Sequence, residues 1–207
     1  MRFLEAAGIY NAQVLNIENV AREAGVSRTT VDKYFQILEE TLIGFRLPAL
    51  REGIKKKEVQ HPKFYLFDAG VARACAGQLG DEVDSVWRGF ALETLILNEL
   101  RAYNSYSEKN RLLFFYQISG GYDIDFIIET KKKTLTHPRQ AVLISVKYSK
   151  KWDSRWNLPL VDFKKNSKTK VTRMLGIYRG ELTLTQGEVT IYPIPIFLEK
   201  LFKGSLY

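Results

Sequence analysis

The chain has 207 residues, of which 45% are hydrophobic and 13% aromatic, and its formal net charge is +8. That apolar content excludes global disorder, and the length suits one large domain or two small ones. One cysteine, Cys75, excludes an internal disulfide, and His61 and His137 have no metal-ligand spacing. Apolar runs such as Ala141 to Ile144 are too short to span a bilayer, and no charged-then-apolar leader opens the chain. A cytoplasmic protein with no membrane partner is therefore expected.

Residues Ile17 to Tyr34 carry the pattern of a helix-turn-helix. Small Ala21 lets two helices cross closely, Gly25 supplies the left-handed backbone of a tight turn, and Val31 fills the shared core. Val20, Val26 and Tyr34 add apolar positions, and Ser27 is a good N-cap for the second helix. Arg28, Thr29, Thr30 and Lys33 then fall near its exposed start, where they suit phosphates and major-groove edges. Leu42 to Leu47 reads as a strand, Arg51 to Lys57 as a basic loop, and Lys63 to Phe67 as a returning strand. Helix-turn-helix plus hairpin predicts a winged helix over residues 1–80, with Lys55, Lys56 and Lys57 at the wing tip. Such a module contacts DNA or docks protein, and the pattern leaves both open.

The pattern changes near Val83, and residues 81–207 read as a second domain. Val86-Trp87, Phe90-Ala91, Thr94-Leu95 and Leu97-Asn98 fit an amphipathic helix running to about Ala102, with Glu93 inside it. Strands follow at Leu112 to Gln117, from the Gly120-Gly121 turn into Asp123 and Asp125, and at Ala141 to Lys147. A short helix around Leu160 to Lys165, a strand at Thr172 to Tyr178, a Gly-centred turn, Ile191-Tyr192 and a last helix from about Pro195 complete a mixed α/β core. Alternation places Asp123 and Asp125 on one face of their strand and Ser145 and Lys147 on one face of the next. Two carboxylates beside a lysine at adjacent strand ends suit a divalent metal and the charge of a phosphoryl transition state.

Between Lys131 and Arg179 there are 14 Lys or Arg against two acids, Asp153 and Asp162, a local +12 against −4 for the rest. Lys150, Lys151 and Arg155 are interleaved there with Tyr148, Trp152, Trp156 and Tyr178, which is the composition of a phosphate-binding surface. No basic amphipathic helix stands out, so nucleic acid, with DNA favoured, is the expected partner rather than an anionic membrane.

The order of Glu93 on a leading helix, Asp125 in a glycine-preceded strand and Lys147 in the next strand resembles the PD-(D/E)XK nuclease-like superfamily. That resemblance implies a restriction-endonuclease-like mixed sheet flanked by helices. It implies Glu93 and Asp125 as metal ligands with Mg²⁺ as the cofactor, and Lys147 beside the attacking water. Ser145 stands where the superfamily has its second acid, and a neutral hydroxyl is a poor ligand for a hard cation. Asp123 is a candidate replacement ligand.

The winged-helix pattern, Lys63-Phe64-Tyr65-Leu66-Phe67-Asp68-Ala69-Gly70, Gly89-Phe90-Ala91-Leu92-Glu93 and Tyr122-Asp123-Ile124-Asp125-Phe126 occur in that order. This order is similar to the C-terminal region of unknown function in archaeal and bacterial AAA-type ATPases. No G-x-x-x-x-G-K-[ST] occurs, so the resemblance implies a P-loop ATPase partner or an ATPase module outside this chain. Three functions follow as expectations. They are a nucleic-acid-binding module with a degenerate nuclease-like site, an active Mg²⁺-dependent endonuclease, and a docking domain for an ATPase. Ser145 favours the first.

Overall fold

A computed structural model describes residues 3–53 and 57–207. The chain is mixed α+β and packs as two units. One holds Met1–Pro48 and His61–Asn98, and the other Ala49–Gln60 and Glu99–Tyr207. Composition suggests a single break near residue 80, whereas the packing boundary falls later and leaves residues 49–60 in the second unit.

In the first unit, α1 (Phe3–Ile9) and β1 (Gln13–Val14) precede a pair of helices, α2 (Ile17–Ala24) and α3 (Arg28–Glu40). Asn16 caps α2 by accepting from the Asn19 amide, and Ser27 caps α3 by accepting from the Thr30 amide. Between them Gly25 sits at φ 67°, a left-handed conformation that closes α2 without a Cβ clash. Val20, Ala21, Val31 and Phe35 are buried in a common core with Leu15, Phe64 and Leu66. A three-stranded antiparallel sheet, ordered β1, β3, β2, follows from β2 (Gly44–Leu47) and the fully buried central strand β3 (Lys63–Leu66).

The strand expected from Leu42 begins instead at Gly44. Leu42 takes φ 62° and, with Ile43, donates back to Glu39 and Leu38, so these two residues close α3. Asp68 caps α4 (Ala69–Cys75), and Asp84 accepts the Trp87 amide at the start of α5 (Ser85–Tyr106).

The second unit is built on a six-stranded sheet ordered β4, β5, β6, β7, β9, β8. Strands β4 (Leu113–Gln117), β5 (Asp123–Lys131) and β6 (Gln140–Lys147) are antiparallel. β7 (Lys170–Tyr178) and β9 (Val189–Pro193) run parallel to β6, and β8 (Leu184–Gln186) closes the edge antiparallel. The buried residues of β5 and β6 are nearly continuous, as expected for strands covered on both faces. Helix α6 (Leu158–Asn166) packs on β5, β6 and β7 through Leu160 and Phe163, and α7 (Ile194–Phe202) packs on β7 and β9.

The described residues of the segment read as a wing belong to this second unit. The Val59 amide donates to the Gln117 carbonyl and the Ser119 amide to the Lys57 carbonyl, while Glu58 bridges Ile118. These bonds run along the β4 strand and its continuation rather than back to the β2–β3 pair. Lys55 and Lys56 lie outside the described residues. Among the described residues no helix is long and apolar enough to cross a membrane.

Candidate functional site

The turn at Gly120, with φ 70°, delivers the chain into β5, where Asp123 pairs with Gln117. The β5–β6 register, Phe126 opposite Ile144, brings Asp125 beside Ser145 when continued by one residue. The side chains meet as this predicts. Asp125 Oδ2 accepts from the Val146 amide at 2.6 Å, from Ser145 Oγ at 3.3 Å and from Lys147 Nζ at 3.5 Å. Asp125 and Ser145 are each 1% exposed, whereas the Lys147 side chain is 26% exposed. A buried carboxylate thus orients a partly exposed lysine, which is an arrangement suited to meeting an anion.

The parallel register extends the site across the sheet. Ser145 pairs with Gly176 and Lys147 with Tyr178, so these side-chain positions share a face. The Trp152 ring lies where Gly176 lacks a side chain: a Cβ there would stand 2.6 Å from Trp152 Cη2. Trp152 Nε1 donates to Asn157 Oδ1 at 3.0 Å, and Asn157 Nδ2 donates to Gln186 Oε1 at 3.0 Å. Trp156 stands perpendicular to Trp152 with ring centroids 5.2 Å apart, and Tyr178 is 6.2 Å from Trp152. This aromatic group was legible only as composition in the basic segment.

Glu93 lies on α5 in the first unit. Its Oε2 accepts from Lys63 Nζ and from Tyr65 Oη, each at 3.2 Å. Lys63 is 5% exposed, an unusual burial for lysine. The only sequence signal for this pairing was a lysine opening an otherwise apolar strand. Asp123 is partly buried. Among the described residues no group of three or more His, Cys, Asp or Glu is gathered to hold a metal ion.

The predicted nucleic-acid contacts among the described residues fall in three places. Arg28, Thr29 and Lys33 are exposed on the first turns of α3, with Thr30 half-buried there. Arg28 is drawn to Glu18 at 3.2 Å, and Thr30 Oγ1 lies 2.8 Å from Ser27 Oγ. Lys57 is exposed on the segment beside β4. Lys150, Lys151 and Arg155 are exposed in the loop between β6 and α6. Arg155 is clamped by Asp153 through Nε and Nη2, at 3.0 and 2.5 Å, and this holds the Asp153 carboxyl down to about 2. A further cleft of about 330 Å³, lined by Arg51, Lys133, Arg139 and Lys168 among others, lies at the opposite end of β5 and β6.

Residues 88–197 match a family described as a domain of unknown function, DUF4143, and residues 1–82 match a second domain of unknown function, DUF8612. Two uncharacterized proteins, Mb2031c of Mycobacterium bovis and Rv2008c of Mycobacterium tuberculosis, are each 27% identical over 93 residues. Those alignments cover 42% of this chain and 21% of each relative, so the chain spans about a fifth of the length of these curated relatives. No solved structure matches.

Proposed function

This chain belongs to the DUF4143 family, and we propose that it is a nucleic-acid-binding module built on a nuclease-like site that does not cleave. The observation that carries the reading is the Asp125–Ser145–Lys147 group at neighbouring strand ends, whose Ser145 and Lys147 lie inside the segment that holds the chain's positive charge. In open mixed α/β sheets, ligands bind outside the carboxyl ends of parallel strands, and Lys147 ends β6. Lys147 is the group that meets a phosphate. Asp125 is its positioning partner.

The mixed sheet with α6 and α7 packed on it supports a PD-(D/E)XK-like architecture for the second unit, and the α2–α3 pair followed by β2 and β3 supports a winged helix-turn-helix in the first. In the first unit Arg28 and Lys33 lie where a recognition helix presents cations to DNA.

The donor set of the second unit fits Mg²⁺ poorly. Oδ2 of Asp125 is occupied by three hydrogen-bond donors, one of them a lysine ammonium, and Ser145 offers a neutral oxygen. Domains of this family typically accompany the C-terminal regions of AAA-type ATPases. An ATPase, on the same protein or a separate one, is the proposed partner that the nucleic-acid contact serves.

The test is a salt titration of DNA binding by the purified chain. Affinity should fall steeply as salt rises, because each phosphate contact releases counterions. Salt-independent binding, or no binding, sinks the reading. A parallel incubation with Mg²⁺ or Mn²⁺ should leave the DNA intact. Cleavage that disappears in both Asp125→Ala and Lys147→Ala would make the protein an endonuclease instead.

A further inference from the structure

We propose that the ligand of this site is single-stranded nucleic acid, with an unpaired base resting on Trp156 and the backbone met by Lys147. The proposal rests on the nucleic-acid reading above and narrows it to a substrate class. It begins with the sheet. Lys147 and Tyr178 are register partners on parallel strands, as are Ser145 and Gly176, so all four positions face the same side. Over Gly176 lies Trp152, locked by its bond to Asn157 and by close packing on the strand. Trp152 is therefore a foundation, since its own ring is pressed against the sheet.

Trp156 is the outer member of the pair. It is partly exposed, held at 89° to Trp152, and sits on the short 3₁₀ turn Ser154–Asn157 that Asp153 caps. An aromatic ring fixed by its neighbours presents its surface with little entropy left to lose on binding. The same loop and the strand ends it joins carry cations: Lys147 closes β6, Lys150 and Lys151 are exposed between β6 and the turn, and Arg179 just after β7 donates its amide to Ser149 and stacks its guanidinium 4.2 Å from the Tyr148 ring centroid. A duplex offers such a surface only phosphates, because its base faces are hidden in the stack. A single strand offers phosphates to the cations and a base face to the indole. The combination of a braced tryptophan and lysines on the same loop and strand end matches the second ligand.

The test compares short oligodeoxythymidylate, short oligouridylate and a DNA duplex of equal length by fluorescence anisotropy and tryptophan emission at one salt concentration. At least one single strand should bind roughly tenfold tighter than duplex and quench emission. Trp156→Ala should weaken single-strand binding about tenfold and leave duplex binding unchanged. Trp156→Phe, which keeps a stacking face, should retain affinity while most of the quenching disappears. Duplex binding as tight as single-strand binding, or full quenching in Trp156→Phe, overturns this inference and leaves the nucleic-acid reading standing. Absence of salt-dependent binding to all three ligands overturns both.

Discussion

The Asp125 carboxylate accepts the Val146 backbone amide at 2.6 Å while 1% exposed, so it ties β5 to β6 as well as orienting Lys147. Removing it leaves a buried donor without its acceptor. Asp125→Ala should therefore cost roughly 1–3 kcal/mol of stability, measured by urea denaturation. Asp125→Asn, whose amide oxygen still accepts from Val146, should cost less. An alanine variant as stable as the wild type would mean that the carboxylate has no structural part.

Ser145 is the position at which the nuclease-like pattern loses an acid. Ser145→Asp places a second carboxylate against Asp125 in a buried setting, which is destabilising unless a cation joins them. The variant should melt below the wild type in EDTA and recover with millimolar Mg²⁺, since a ligand bound only to the folded state raises its stability. The wild type should respond little. Equal Mg²⁺ responses in both proteins would contradict the poor fit argued for this donor set.

Gly176 is held small by Trp152. A methyl group there must displace the indole or the strand, because it would lie 2.6 Å from Cη2 and 3.0 Å from Ile191 Cγ1. Gly176→Ala should lower stability by about 1–3 kcal/mol, as overpacking of a tight core does. The near-ultraviolet circular dichroism of the Trp152–Trp156 pair should weaken with it.

Hydrogen bonds from the Arg155 side chain, then from its backbone amide, hold Asp153 down to about 2. A carboxyl depressed on folding supports the folded turn above its ordinary range and loses that support as pH falls through its folded value. The Ser154–Asn157 turn should accordingly loosen between about pH 4 and pH 2. The carboxyl-carbon chemical shift of Asp153 reports this titration directly. Arg155→Ala should move the midpoint upward toward the ordinary aspartate value.

Local chemistry made part of the fold readable. Ala21, Gly25, Ser27 and Val31 mark α2 and α3 because a small crossing residue, a left-handed turn and a cap each demand particular side chains. Alternation likewise put Asp123 and Asp125 on one face of β5 and Ser145 and Lys147 on one face of β6, while the pairing of Asp125 with Ser145 came only with the register. Helices α1 and α4, at seven residues each, are too short for periodicity to declare them. The three-residue edge strand β8 suffers the same limit.

Within the site, the contacts that escaped the sequence are those between distant segments. The Val146 amide has no side-chain signature, Trp152 on Gly176 joins a loop to a later strand, and Lys63 reaches Glu93 thirty positions away. Fixed local spacing carries none of these. They emerge only when the sheets assemble.

The chain passes from one packing unit to the other three times, after Pro48, Gln60 and Asn98. Neither unit is therefore a cassette that recombination could lift out with a single cut. A break near residue 80 would separate α5 from the sheet of the first unit, and would carry away the residues 57–59 that border β4. Inheritance of the two matched regions as one block is the arrangement this threading favours.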